Sequence, residues 1–191
     1  MTKIKNIKKE LLSDNWYTLN KFTFDFQLQN GTWSTQMRES YDRGNGAAIL
    51  LYNKEKGTVI LTKQFRFPTY INGNKSGYMI EVCAGLLDDD KPEDCIKKEA
   101  FEETGYQIEN VKKVMEAYST PGSVTEMVYY FVAEYSEDMK VGEGGGLESE
   151  NEDIEVLEIA FNEAIEMVNK GEIKDAKSII LLQHAQINKL L

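Results

Sequence analysis

Three glutamates, Glu99, Glu102 and Glu103, stand at positions i, i+3 and i+4. On a helix that spacing puts three carboxylates on one face. Like charges so close weaken an isolated helix, and a hard divalent cation offsets them, because Mg²⁺ prefers oxygen ligands and keeps several waters. The bland alternative is a solvated face, partly compensated by Lys97 and Lys98. A second acidic set, Glu148, Glu150 and Glu152, alternates through the Gly-rich run 136–153. Among the cations, Arg66 precedes Phe67-Pro68 and offers a planar donor fork suited to a pyrophosphate, with a surface salt bridge as its alternative. Arg43, in the run YDRGNG, suits either a phosphate or a partner carboxylate, with Arg38 and Lys174 as helpers. Tyr17, Trp16 and Phe65 suit either stacking on a base or hairpin packing. His184, the sole histidine, falls in an apolar helical stretch and reads as an ordinary packed or half-exposed residue.

The elements that must position these groups are readable in outline. Pro92 suits the first turn of a helix and Gly105 its end, which predicts a helix over residues 92–104. Ile96, Ala100 and Phe101 give it an apolar side. Before it, residues 78–83 predict one short strand, followed by a polar turn. Residues 4–12 suit a helix or a strand. Residues 16–28 and 32–41 alternate around the turn Asn30-Gly31 and predict an N-terminal hairpin. Two strands alone bury little, so this aromatic hairpin must pack on the main domain or on a second subunit. Residues 47–53 and 58–67 predict a second hairpin, and 111–118 and 126–135 two more strands. The acidic run 136–153 predicts a mobile loop, 154–159 a strand, and 161–170 and 174–190 helices. The pattern suits either α+β or a sheet between helices.

Composition bounds the rest. The chain has 191 residues, 41% of them hydrophobic, enough for one real core. A net charge of −10 and the lack of a basic-aromatic stripe argue against nucleic-acid binding. It also means that an anionic substrate needs a local reversal of field, from metal or from clustered Arg and Lys. Cys83 and Cys95 are too few for a disulfide scaffold and read as buried free thiols. No run approaches the ~20 apolar residues that span a bilayer, and the N-terminus has no secretory pattern, so the expectation is a cytoplasmic protein without a membrane partner.

The stretch 84–106, AGLLDDDKPEDCIKKEAFEETGY, resembles the signature of the Nudix family of hydrolases, most clearly in EAFEETGY. It departs from the pattern in two ways. Lys98 stands where the family has Arg, which exchanges a bidentate fork for a point charge. The turn after Gly85 is one residue short, so Asp90 or Lys91 falls where a Glu is usual. The runs QFRFPTYINGN, YSTPGSVTEM, GGGLESENEDIEVLE and GEIKDAKSIILL extend the resemblance to the ADP-ribose pyrophosphatase-like subgroup, over roughly residues 12–182.

The resemblance implies an α/β fold, a Nudix α/β/α sandwich with a mixed sheet, in a domain over residues 45–191. Residues 1–44 would form an N-terminal antiparallel hairpin that exchanges strands with the partner in a homodimer. It implies Mg²⁺, or Mn²⁺, held by Glu99, Glu103 and the carbonyl of Ala84, with Glu102 supporting the cluster or binding a further ion. From the Gly-rich loop it favours Glu150 as ligand, with Glu148 second as base or ligand. Gly85 and Glu126 join Tyr17, Arg38, Arg43, Arg66 and Lys174 on the substrate. The activity it implies is cleavage of a nucleotide sugar at its pyrophosphate, GDP-mannose giving GMP and mannose 1-phosphate. An ADP-ribose or ADP-sugar substrate is the nearest rival, since the signature reads the diphosphate and not the base. A non-catalytic nucleotide-sugar-binding protein is the rival from another class.

Overall fold

The computed structural model describes residues 3–147, 149 and 151–191. The chain divides into two compact units, residues 1–45 with 117–128, and residues 46–116 with 129–191.

The first unit is built on a three-stranded antiparallel sheet of β1 (Ile4–Asp14), β2 (Thr18–Gln27) and β3 (Trp33–Asp42), in that order. Residues 4–12, open between helix and strand in the sequence, are therefore strand. The β2–β3 register runs unbroken from Thr18↔Asp42 to Gln27↔Trp33, closed by a tight turn in which Gly31 has φ +86°. The β1–β2 register slips twice, between Lys5 and Lys8 and between Leu11 and Ser13. Asn20 is the one buried residue of the three strands.

The second unit carries the core. β4 (Gly46–Asn53) is buried at every position, as expected of a near-continuous apolar run covered on both faces. It pairs antiparallel with β5 (Thr58–Phe65). After β5 the chain makes a short helix, α1 (Phe67–Ile71), with Pro68 in its first turn. The single strand expected over 78–83 is two. β6 (Tyr78–Glu81) pairs with β5, and β7 (Cys83–Leu86) crosses to pair with β4. Alternation alone does not reveal this break, because the side-chain pattern is the same whichever neighbour each half bonds.

α2 (Pro92–Thr104) has the expected bounds. Pro92 opens it, Glu93 and Asp94 complement its positive end, and Gly105 closes it in the left-handed conformation at φ +78°. β8 (Lys112–Tyr118), β9 (Met127–Glu134) and β10 (Glu155–Ala160) complete a sheet of order β10-β5-β4-β9-β8. α3 (Phe161–Asn169) and α4 (Ala176–Ile187) follow. Ala47, Ile49 and Leu51 of β4 pack with Cys95, Ile96 and Ala100 of α2 in the main core. Ala48 and Leu50 alternate to the other face and are equally buried, and α4 packs on the same strand. The result is the mixed α/β architecture that the resemblance implies.

Candidate active site

β7 runs beside α2 and decides what its carboxylates can do. Ala84 N–H donates to Glu103 Oε2 at 3.3 Å. Gly85 lies against Glu99, and a Cβ at position 85 would collide with the Glu99 carboxyl group. A side chain there would push the Glu99 carboxyl group aside rather than strain the backbone. The three glutamates are unequal. Glu103 is 2% exposed, whereas Glu99 and Glu102 are half-buried. Lys98, the departure from the family pattern, stands 3.8 Å from Glu102 with its own side chain largely in water, a weak compensation.

Burial pushes the Glu103 carboxyl up to about 8; a hydrogen bond with Cys83 opposes this, Glu99 and Glu152 reinforce it, and Ala84 N–H opposes it. A carboxyl that favours its proton because it is buried, with Glu99 and Glu152 adding to the effect, gains when a cation takes the proton's place. The Glu99, Glu102 and Glu103 carboxylates on this helix are all oxygen donors, the chemistry that suits Mg²⁺ or Mn²⁺. Among the described residues no three acidic, Cys or His side chains converge tightly enough to form a cage by themselves. A hard ion that keeps several waters and takes phosphate oxygens needs no such cage. The residues therefore fit a divalent cation shared with substrate.

A second polar cluster lies in the same unit. Arg66 Nε and Nη2 donate to the two oxygens of Glu81, each at 2.9 Å, and Glu81 is 3% exposed. The expected fork is thus held flat by a buried carboxylate. Burial alone would lower the Arg66 pKa, but the bonds to Glu81 raise it, and Glu103 and Asp175 add to the rise. Lys177 Nζ reaches Asp175 at 2.7 Å and Glu81 at 3.6 Å. Asp175 caps α4, accepting from Ser178 N–H at 2.9 Å and Ser178 Oγ at 2.7 Å. That hydroxyl accepts from Val82 N–H, at the break between β6 and β7. Glu81, Asp175 and Lys177 escaped the sequence reading. Asp175 carried a signal, an Asp three residues before Ser178 at a helix start; Lys177 and Glu81 carried none. Lys174, the cation expected here, stands exposed just before Asp175.

The first unit gathers a separate group. The Arg43 guanidinium lies over the Tyr17 ring at 5.6 Å and its Nε is 3.7 Å from Glu126 Oε1. Tyr41 meets Tyr17 edge-on at 5.9 Å. Three residues expected to contact substrate, Tyr17, Arg43 and Glu126, are therefore neighbours, although more than a hundred positions separate the first from the last. Arg38 does not join them; it donates to Met37 O at 2.7 Å and to Gln36 Oε1 at 2.9 Å along its own strand. Trp16 is 81% exposed.

Glu148 and Glu150, the expected loop base and ligand, lie outside the described residues. Glu152 is described: its Oε2 accepts from Leu147 N–H at 3.1 Å, and its charge is felt at Glu103. Both cysteines are free and buried, and Cys95 Sγ donates to Leu86 O at 3.2 Å.

Comparison with known proteins gives two family matches. Residues 42–182 match the NUDIX domain, and residues 3–41 match the GDP-mannose pyrophosphatase NudK N-terminal domain. A GDP-mannose pyrophosphatase of Yersinia enterocolitica is 58% identical over 99% of this chain and 98% of its own length. One of Pectobacterium atrosepticum is 59% identical over 95% of this chain and 93% of its own. One of Yersinia pestis is 58% identical over 97% and 93%.

Proposed function

Because this chain belongs to the Nudix family, we propose that it is a pyrophosphohydrolase whose substrate is GDP-mannose. Water cleaves the P–O–P bond, and the products are GMP and mannose 1-phosphate. The observation that carries the substrate is the likeness, over nearly the whole chain, to relatives bearing that activity in their names. The observation that supports the chemistry is the packing of Glu99 and Glu103 against Ala84 and Gly85.

The family works with a divalent cation, and we assign Mg²⁺, with Mn²⁺ as substitute. Glu99, Glu103 and the Ala84 carbonyl would hold it, with Glu102 beside them and Glu150 from the loop. When bound, the ion neutralises charge that develops on the phosphoryl oxygens. The protein does the rest. Burial keeps Glu103 in a dry setting where electrostatic interactions are strong. Glu81 takes Arg66 Nε and Nη2 and fixes the guanidinium plane, so a diphosphate meets the remaining Nη1 side already oriented. Glu148 or Glu150 accepts the proton of the attacking water. Tyr17, Arg38, Arg43, Glu126, Gly85 and Lys174 contact the nucleotide or the sugar.

The reading extends to assembly and place. The exposed Ile7, Leu11, Trp33 and Met37 of the N-terminal sheet support a homodimer with exchanged strands, residues 1–44 forming the exchanging part and 45–191 the hydrolase domain. The buried free thiols suit a reducing cytoplasm. No helix among the described residues is long and apolar enough to cross a membrane.

The test is a product panel with Mg²⁺ over GDP-mannose, ADP-ribose, ADP-glucose and UDP-glucose, read by chromatography, with EDTA as control. Fastest release of GMP and mannose 1-phosphate, abolished by EDTA, is expected. Faster release of AMP from ADP-ribose would keep the chemistry and overturn the substrate. Light scattering on the eluted protein tests the dimer.

A further inference from the structure

The last turn of a helix leaves carbonyls without partners inside the helix. In α2 they belong to the residues that carry the active-site carboxylates, and the Gly-rich segment satisfies them. Gly145 N–H donates to Glu103 O at 2.9 Å, and Gly146 N–H to Glu102 O at 3.0 Å. Val141 and Gly142 N–H both donate to Gly105 O, at 3.0 and 3.1 Å. The segment expected to be a mobile loop is thus tied by main-chain hydrogen bonds to the metal-site helix over residues 141–146. On its far side Ile154 N–H donates to Gly145 O at 3.1 Å, which brings the chain back to β10.

This docking depends on missing side chains. Gly144, Gly145 and Gly146 all have positive φ, at +72°, +103° and +84°. A Cβ at Gly144 would stand 2.6 Å from Thr104 C, 2.7 Å from Glu103 O and 2.9 Å from Gly105 N, all backbone atoms that cannot swing away. A Cβ at Gly146 would stand 2.5 Å from Glu152 Oε2 and 2.6 Å from Glu152 Cβ. At Gly145 the nearest atom is Ile154 O, at 3.8 Å. Two of the three glycines therefore make room, one for the helix end and one for Glu152.

We propose that Gly144 and Gly146 are positioning residues of the hydrolytic site. Bare backbone at Gly144 lets the loop dock on the end of α2, and bare backbone at Gly146 lets Glu152 fold back on Leu147 N–H. The acidic segment thereby starts from an anchor on the same turn that holds the metal-site carboxylates. This rests on the hydrolase reading above.

Two measurements on the full-length protein test it. The first is amide hydrogen exchange of the unaltered protein, where Gly145 and Gly146 should exchange as slowly as the last turn of α2. The second is kinetics of G144A and G146A with GDP-mannose and Mg²⁺, beside G57A as control. Gly57 has φ +67° and nothing within 4 Å of an added Cβ, so G57A carries the backbone strain without the collision. G144A should lose about a hundredfold in kcat, the scale of a misplaced catalytic group, with KM within about threefold of wild type. G146A should lose about tenfold with a raised half-saturating Mg²⁺ concentration, and G57A should stay within about twofold. A merely structural role would lower thermal stability in all three without splitting kcat from KM. Gly145 and Gly146 amides that exchange at open-loop rates would overturn the proposal, as would a G144A no slower than G57A. If G144A does not fold, the exchange measurement decides alone. Failure of the hydrolase reading looks different: the unaltered protein itself releases no GMP.

Discussion

The sheet β1–β3 and the strand β4 are both extended chain, yet they live in opposite environments. Every residue of β4 is buried, and the side chains of its two faces meet helices. The three strands of the first unit bury one residue, Asn20, whose Oδ1 has no hydrogen-bond partner among the described residues. Ile7 and Met37 are more than 60% exposed in the same sheet. Apolar residues make up most of β4 but only about a third of the three strands, and β4 alone has two covered faces. The second unit supplies stability and a rigid base for the carboxylates, and the first supplies a surface with Tyr17, Arg43 and Glu126 grouped upon it.

The comparison can be tested from its strongest contrast downward. E103Q should reduce GMP release about a thousandfold, roughly 4 kcal/mol of barrier, because it removes the buried carboxylate that the proposal assigns to the ion while leaving the first unit untouched. Activity within tenfold of wild type would move the chemistry away from α2. Next, Leu51→Ala in β4 should cost about 3 kcal/mol in urea unfolding, whereas Met37→Ala in β3 should cost less than about 0.5 kcal/mol in dilute, monomeric protein. Equal costs would mean that the N-terminal sheet has a covered core after all. A concentration-dependent cost for Met37→Ala would instead locate that cover in a second copy.

The metal-free protein should show a pH signature of the buried carboxyl. Glu103 is raised from 4.5 in a free chain to about 8 when folded. Below pH 4.5 both states hold the proton and its contribution is full. Between about 4.5 and 8 only the folded state keeps it, so stability falls as pH rises, and above 8 the loss is complete. Thermal midpoints across this window should decline in wild type and decline less in E103Q. Smaller still is Asp175→Ala, which removes the α4 cap and should cost about 1 kcal/mol. Rescue by Asn, which keeps the cap without the charge, would separate that loss from the pairing with Lys177.

Much of α2 was readable because its signals are local. Pro92, Gly105 and the i, i+3, i+4 glutamates lie within one helix, and helix geometry alone puts those carboxylates on one side. The grouping of Tyr17, Arg43 and Glu126 was nameable through resemblance, but their contact depends on register and turns far apart in the chain. The division at Val82 was not readable, since residues 78–86 form one nearly continuous apolar run and only pairing distinguishes its halves.

What the sequence determined by itself was the chemistry that depends on neighbours along the chain: an all-oxygen acidic helix face, its two ends, the hairpin turn and the family. What only the tertiary structure decided was which of those groups lose water and which segment supports them. Glu103 and Glu102 look alike in the chain, but β7 covers the first and leaves the second half-open. Arg66 looked like an available fork, but Glu81, fifteen positions on, already holds it. The glycines at 144–146 signalled only a loop. Their fit against the carbonyls of Glu102 and Glu103, some forty residues earlier, depends on the backbone of two distant segments approaching closely, and local composition carries no record of that.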